Sequence, residues 1–183
     1  MIHGMSTHYG ITPISLRLQN VYGEGQSLNN PYTGILSIFS NIFRSSKEVK
    51  IFEDGNESRD FVHVEDVVNA FVLAGKSDIS EAKIYNVGTG VPTKVIDVAN
   101  FLKKLLNSNS TVTINGAFRK GDIRHNYADI TKIKSELNFQ PTISFLEGIT
   151  RFTDWVKDID LNESKYLDSL EEMKSKGLYK EQN

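Results

Sequence analysis

The sequence predicts an α/β fold, on three features. Short apolar stretches with the two-residue period of strands alternate with longer stretches whose apolar residues recur at helical spacing. Glycines punctuate the joins, at Gly10, Asp54-Gly55 and Gly88-Thr89-Gly90. Between the second and third of these, Gly55 to Asp66 (GNESRDFVHVED) runs a glycine turn, an arginine, a short apolar strand and a helix start together in one segment.

Taken in order, Met1 to Tyr9 reads as a short helical fragment stopped by Gly10. Ile14 to Leu18 alternates apolar and polar as a strand does, and Tyr22 to Tyr32 is a loop rich in Gly, Asn and Ser. Thr33 is placed to cap a helix with the apolar stripe Ile35, Ile38, Phe39, Ile42 and Phe43. Val49 to Phe52 is a short strand ending in the Asp54-Gly55 turn. Beyond Phe61, a helix is expected to turn Val64, Val67, Val68, Phe71 and Val72 inward, with Glu65 and Asp66 at its positive end.

Ile84 to Val87 reads as a strand, followed by a Thr93-capped helix carrying Val95, Val98, Leu102, Leu105 and Leu106. Thr111 to Ile114 is another strand, and Phe118 to Asp129 is a dense polar stretch. Asp129 opens a helix with Ile130, Ile133 and Leu137 inward. Ser144 and Glu147 form a capping box for a helix bearing Ile149, Phe152 and Val156, with Trp155 in the core. From Leu161 the chain is a charged tail, whose helix around Tyr166 to Met173 is expected to fray.

Composition narrows the function. With 183 residues the chain suits one domain or a lobe of a larger one. A net charge of −2 gives no general electrostatic reason to bind nucleic acid or an anionic membrane. Any anion must be held by a few placed arginines. The absence of cysteine removes disulfides, thiolate metal sites and cysteine nucleophiles, and fits a cytoplasmic protein. No apolar run reaches the roughly 20 residues of a membrane helix.

Arg59 and Arg119 are the strongest candidates for binding. Each stands beside a turn, where a planar guanidinium can hold phosphate oxygens by two parallel bonds. The competing reading pairs Arg59 with Glu57 or Asp60, and Arg119 with Asp122. Asn20, ending a strand before a glycine loop, could donate to a ligand or make a turn bond. His63, between two valines, reads as structural, while His125 stays open. Tyr22, Tyr32, Tyr85 and Tyr127 each lack a lysine four residues later. The paired glycines at 23 and 25 and at 88 and 90 complete neither a dinucleotide fingerprint nor a P-loop, and read as turns.

LRLQNVYGEGQ at 16 to 26, EDGNESRDFVHVEDVV at 53 to 68, YNVGTG at 85 to 90 and RKGDIRHNYADITK at 119 to 132 occur together in one order. In this, the chain resembles the NAD-dependent nucleotide-sugar epimerases and dehydratases, the extended short-chain dehydrogenase/reductases. The likeness runs from about Tyr9 to about Trp155. QSLNNPYTGILSIF at 26 to 39, with GDIRH, is most similar to dTDP-L-rhamnose 4-epimerases, and UDP-glucose and UDP-glucuronate 4-epimerases come next.

The resemblance implies the last strands of a Rossmann-type parallel sheet plus a small α/β substrate lobe over 1–160, with the tail at 161–183. It implies that Asn20, Arg59 and Arg119 hold the diphosphate of a dTDP- or UDP-sugar. Asp122 would lie near the ribose, the strand of Ile51 and Phe52 along the base, and Tyr32 and Thr33 in the segment closing over substrate. Glu24 and Lys120 stand where family members often carry proline. The glycine-rich NAD loop and the Y-x-x-x-K pair of the family are not in this sequence. NAD is therefore implied for the intact enzyme and expected not to bind this chain alone. The expected partner is the missing N-terminal Rossmann half, in cis or in trans, and the resemblance leaves room for a homo-oligomer. The expected function is the sugar-nucleotide-binding portion of a 4-epimerase, inactive alone. The alternative is a non-catalytic nucleotide-sugar binding module or a subunit of a split enzyme.

Overall fold

A computed structural model describes residues 2–28, 34–160, 171–172 and 174–180. In chain order the elements are α1 (Ile2–Tyr9), β1 (Ile14–Leu18), β2 (Asn20–Tyr22), α2 (Ile35–Arg44), β3 (Val49–Ile51), β4 (Ser58–His63), α3 (Val64–Lys76) and β5 (Lys83–Val87). They continue with β6 (Pro92–Lys94), α4 (Val95–Leu105), β7 (Val112–Ile114), β8 (Phe118–Arg119), β9 (His125–Asn126), α5 (Thr131–Leu137), α6 (Phe145–Lys157) and β10 (Tyr179–Lys180).

β4 is the strand on which the molecule divides. It runs parallel to β2 with Asn20 opposite Phe61, antiparallel to β6 with Arg59 opposite Thr93, and parallel to β9 with Ser58 opposite His125. Successive side chains of a strand point to opposite faces. Phe61 thus enters one core with Tyr22, Phe39, Phe43, Ile51, Leu102, Ile149 and Phe152. Val62 enters a second core with Val67, Tyr85, Val87, Ile133, Leu137 and Phe139. The same alternation turns Asp60 toward the second core and Arg59 away from it.

The other sheets are small. β1 pairs with β5 in parallel, Ile14 opposite Lys83 through Leu18 opposite Val87. β3 pairs with β7 in parallel, and β10 lies antiparallel on β8. The parallel pairs match the expected α/β class. Among the described residues β1 has β5 as its single neighbour.

The periodic helices form as their patterns dictate, with differences at the ends. α1 stops at Gly10, which takes the left-handed φ of 63° that a side chain resists. α2 starts after Gly34 with no side-chain cap, and Thr33 lies outside the described residues. α4 is preceded by Lys94 rather than capped by Thr93, because Thr93 is drawn into β6. Asp129 sits just ahead of α5 and accepts from Thr131 N at 2.9 Å. Ser144 accepts from Glu147 N at 3.2 Å, the forward bond of the expected capping box. Trp155 packs against the first core as expected.

α3 departs from expectation. Its inward residues are Val67, Ala70 and Ala74, whereas Val68, Phe71 and Val72 are 56, 55 and 44% exposed. Small residues let this helix lie close to its sheet, so its large apolar side chains face outward.

Glu24 also takes an unexpected role. His63 is fully buried; its Nδ1 accepts from Glu65 N at 3.3 Å, capping α3, and its Nε2 meets Glu24 Oε2 at 3.0 Å. Arg151 of α6 bonds Glu24 at 2.9 Å and pairs with Glu65. The structural role expected for His63 is what the geometry shows. Burial acts to raise the Glu24 carboxyl, but bonds from its own backbone, Arg151 and His63 outweigh it and hold the group below its ordinary 4.5. The Arg151 bond holds Glu65 low as well.

A carboxyl lowered by folding stabilises above its unfolded pKa and loses that contribution as pH falls through the folded value. Wild-type stability, followed by urea unfolding, is expected to fall as pH drops from about 5 to about 3. Arg151→Met should flatten that fall. An equal slope in both proteins would count against the network.

Candidate functional site

A cleft of about 580 Å³ opens between the Glu53–Asp54 turn and the segment from Gly116 to Arg124. Its walls carry Arg119, Lys120, Asp122 and Arg124, so cations dominate one side. Two arginines converge on the Arg119–Asp122 turn, which closes with Asp122 N donating to Arg119 O at 3.2 Å.

Arg59 reaches this turn from β4. Its Nη2 bonds Asp122 Oδ1 at 2.9 Å, and its Nη1 donates to Ser58 O at 2.9 Å and Arg124 O at 3.0 Å. The partner is therefore Asp122, not Glu57 or Asp60. Arg119 is different. It has no carboxylate partner among the described residues, its Nε is buried without a hydrogen bond, and its guanidinium lies 5.4 Å from the Phe52 ring centre. A buried, unpaired guanidinium N–H is costly unless something accepts from it.

Asp60, beside Arg59 in sequence, serves a separate purpose. Wholly buried, it accepts from Thr89 N at 2.8 Å, Thr89 Oγ1 at 2.6 Å, Gly90 N at 2.9 Å and Ala128 N at 3.1 Å. One carboxylate thereby ties the Gly88-Thr89-Gly90 turn and the chain leaving β9 to β4. Those glycine-turn donors are spent, and Gly88 lies so close to Asp60 that a Cβ there would collide with Oδ2. Gly23 is equally packed, with Val64 Cγ1 2.6 Å from where its Cβ would be. Gly25, two residues on, has nothing within 4 Å of a would-be Cβ.

Arg124 had no assigned role in the sequence, yet it holds the opposite wall. Its guanidinium bonds Glu53 and Asp54 at 2.6 Å each and lies 3.7 Å from Glu57. This fixes a turn in which Glu53 takes φ 46° and Gly55 φ 76°. The Asn56 backbone N–H, and then Arg124, hold the Asp54 carboxyl down to about 2. Burial pushes Glu57 up.

The remaining candidates fall in different places. Ile51 is buried in the core, and its carbonyl accepts from Asn115 N at 3.0 Å. The Phe52 carbonyl accepts from Gly55 N at 3.2 Å, and Phe52 does not line the cleft. Asn20 does not line the cleft; it stands on β2 beside Phe61. Tyr32 and Thr33 lie outside the described residues. His125 meets Ser58 Oγ at 2.9 Å.

Two phenols, Tyr22 and Tyr85, are shifted the wrong way for proton abstraction. Burial, then Asp66, Glu147 and Glu24, pushes Tyr22 up. Burial and its bond to Glu136 push Tyr85 up to about 12. Among the described residues no cluster of His, Asp or Glu suits a metal, and no helix is long and apolar enough to cross a membrane.

With this geometry in view, the likeness to known proteins can be stated. Residues 1–88 match the NAD dependent epimerase/dehydratase family. The chain is 39% identical over 146 residues to a dTDP-L-rhamnose 4-epimerase of Burkholderia thailandensis, covering 79% of this chain and 40% of that protein. Among solved structures, the UDP-glucose 4-epimerase of Thermotoga maritima with UDP-glucose superposes with TM-score 0.76 at 33% identity. The match covers 85% of this chain and 49% of that one. The Thermus thermophilus UDP-glucose 4-epimerase complex with NAD gives 0.73 at 27% identity, over 86% and 50%. The chain spans about half the length of these relatives. The four motifs, the parallel strand pairs and these matches agree in likening the chain to the NAD-dependent epimerase/dehydratase family, whose model matches residues 1–88.

Proposed function

We propose that this chain supplies the nucleotide-sugar side of an NAD-dependent sugar-nucleotide 4-epimerase acting on dTDP-L-rhamnose or a related dTDP- or UDP-sugar. The observation that carries this reading is Arg119 on the cleft wall, with Arg59, itself outside the lining, bonded to the same turn through Asp122. Asp122 holds Arg59 there, and the Arg119 Nε has no acceptor. A diphosphate fits that demand, since its oxygens accept charge-assisted bonds from both guanidinium groups. On this reading the base lies toward Phe52, the ring under Arg119.

The hydride chemistry belongs to NAD held by a Rossmann half, joined in cis or acting in trans. Support comes from the single strand neighbour of β1 among the described residues and the outward Val68, Phe71 and Val72 of α3, a face suited to being covered. On this reading the chain alone is a weak nucleotide binder, works in the cytoplasm, and turns over no sugar.

Titration calorimetry with UDP- and dTDP-sugars tests the site. Arg59→Ala and Arg119→Ala should each weaken binding by about 10- to 100-fold, the worth of a charge-assisted hydrogen bond. Unchanged affinity in both variants would remove the diphosphate from this cleft. NAD-dependent epimerisation by the isolated chain would overturn the division of labour between two halves. Tight binding without turnover would favour a stand-alone binding module.

A further inference from the structure

The C-terminal segment returns to the back of the cleft. β10 pairs with β8 so that Tyr179 stands opposite Arg119, and Lys120 N donates to Leu178 O at 2.9 Å. The Tyr179 ring meets Phe52 edge-on at 5.4 Å, and the Lys174 ammonium lies 5.3 Å from the Tyr179 ring centre. Lys174, Tyr179, Phe52 and Arg119 thus form a continuous run of cation, ring, ring and cation. Tyr179 does not line the cleft, which stays open with β10 in place. The segment therefore backs the site without obstructing it.

We propose that Tyr179 is a positioning residue for Arg119. Among the described residues Arg119 has no carboxylate to hold it, unlike Arg59 with Asp122. Its guanidinium is held by the face of Phe52, an attraction set by the ring quadrupole. Phe52 in turn is buttressed edge-on by Tyr179, a favoured arrangement of two aromatic rings. Backbone pairing of β10 with β8 fixes Tyr179 relative to the arginine it serves. The segment makes no contact with ligand; it presets an otherwise loose cation, which lowers the ordering cost of binding. The consequence for nucleotide affinity rests on the reading that Arg119 meets the diphosphate.

The experiment follows the Arg119 Nε–Hε signal in ¹H–¹⁵N spectra of the full chain, assigned by its loss in Arg119→Lys. Wild type should show an ordered signal shifted by the Phe52 ring. Tyr179→Ala should move that signal and lower its heteronuclear NOE, with changes confined to the neighbourhood of Phe52, β8 and β10. Tyr179→Phe, which keeps the ring, should restore both. UDP and dTDP titrations should then show about fivefold weaker binding in Tyr179→Ala and none of that loss in Tyr179→Phe.

An unaltered Arg119 signal in Tyr179→Ala, a disordered one in wild type, or failure of Tyr179→Phe to rescue overturns the proposal. If Arg119 loosens as expected but Arg119→Ala leaves UDP and dTDP binding unchanged, the positioning stands and the diphosphate reading fails. If Arg119→Ala weakens binding and Tyr179→Ala does not, the reverse holds.

Discussion

Asp60→Ala is expected to destabilise the chain by about 4 kcal/mol, lowering Tm by roughly 10 °C for a protein of this size. The carboxylate is wholly buried and accepts bonds from Thr89 N, Thr89 Oγ1, Gly90 N and Ala128 N. Alanine leaves those donors facing one another with no acceptor, and each buried orphan costs about 1–3 kcal/mol before the structure relaxes. Asp60→Asn retains one acceptor oxygen but points an amide N–H₂ at donors, so it should recover only part of the loss.

The damage should reach the cleft. Ala128 follows β9, and β9 pairs with Ser58 and Arg59, so freeing Ala128 loosens the segment that carries Arg119 and Asp122. Thermal and urea unfolding read the stability; calorimetry with UDP reads the site. A loss below about 1 kcal/mol would mean the bonds to Asp60 are replaceable.

Gly148→Ala comes second. Gly148 lies on α6 where the helix presses on Tyr22 and His63. A Cβ there would collide with Tyr22 Oη and sit 2.9 Å from Tyr22 Cζ and 3.1 Å from His63 Cδ2. Both rings are buried, and His63 is further held by Glu24 and Glu65. The helix must therefore move off β2 and β4, an overpacking cost of about 3 kcal/mol, partly offset by about 1 kcal/mol of better helix propensity. Gly75→Ala is the matched control. It too lies in a helix, but nothing stands within 4 Å of its would-be Cβ. That change should stabilise by about 0.5–1 kcal/mol. Equal effects at the two positions in urea unfolding would refute the packing argument.

Legibility followed the physics of each element. α2, α4 and α6 could be read because a long helix repeats its apolar stripe several times over. β3 and β7, of three residues each, could be read from their β-branched residues, whereas β6, β8, β9 and β10 are as short or shorter and lack that composition. For α3 the eye follows the large residues Val68, Phe71 and Val72, while the helix packs through Val67, Ala70 and Ala74. Bulk alone does not say which face of a helix meets its sheet.

The turns singled out both arginines as candidates, but not the partner of Arg59. Asp60 next to Arg59 suggests a pair, yet the strand turns adjacent side chains to opposite faces. The partner came from Asp122, far along the chain. Arg124, Arg151 and Tyr179 left no local signal, since each acts on residues distant in sequence.

The position of β4 also has a consequence in time. The strand is completed on one side by Asn20–Tyr22, made long before it, and on another by His125–Asn126, made long after. Contacts between segments so distant form slowly, because the intervening chain must lose its freedom before they are rewarded. A chain emerging from the ribosome can settle α2 or α3 early. It cannot bring Arg59 and Asp122 together until the 119–126 segment has been synthesised and has docked against the strand.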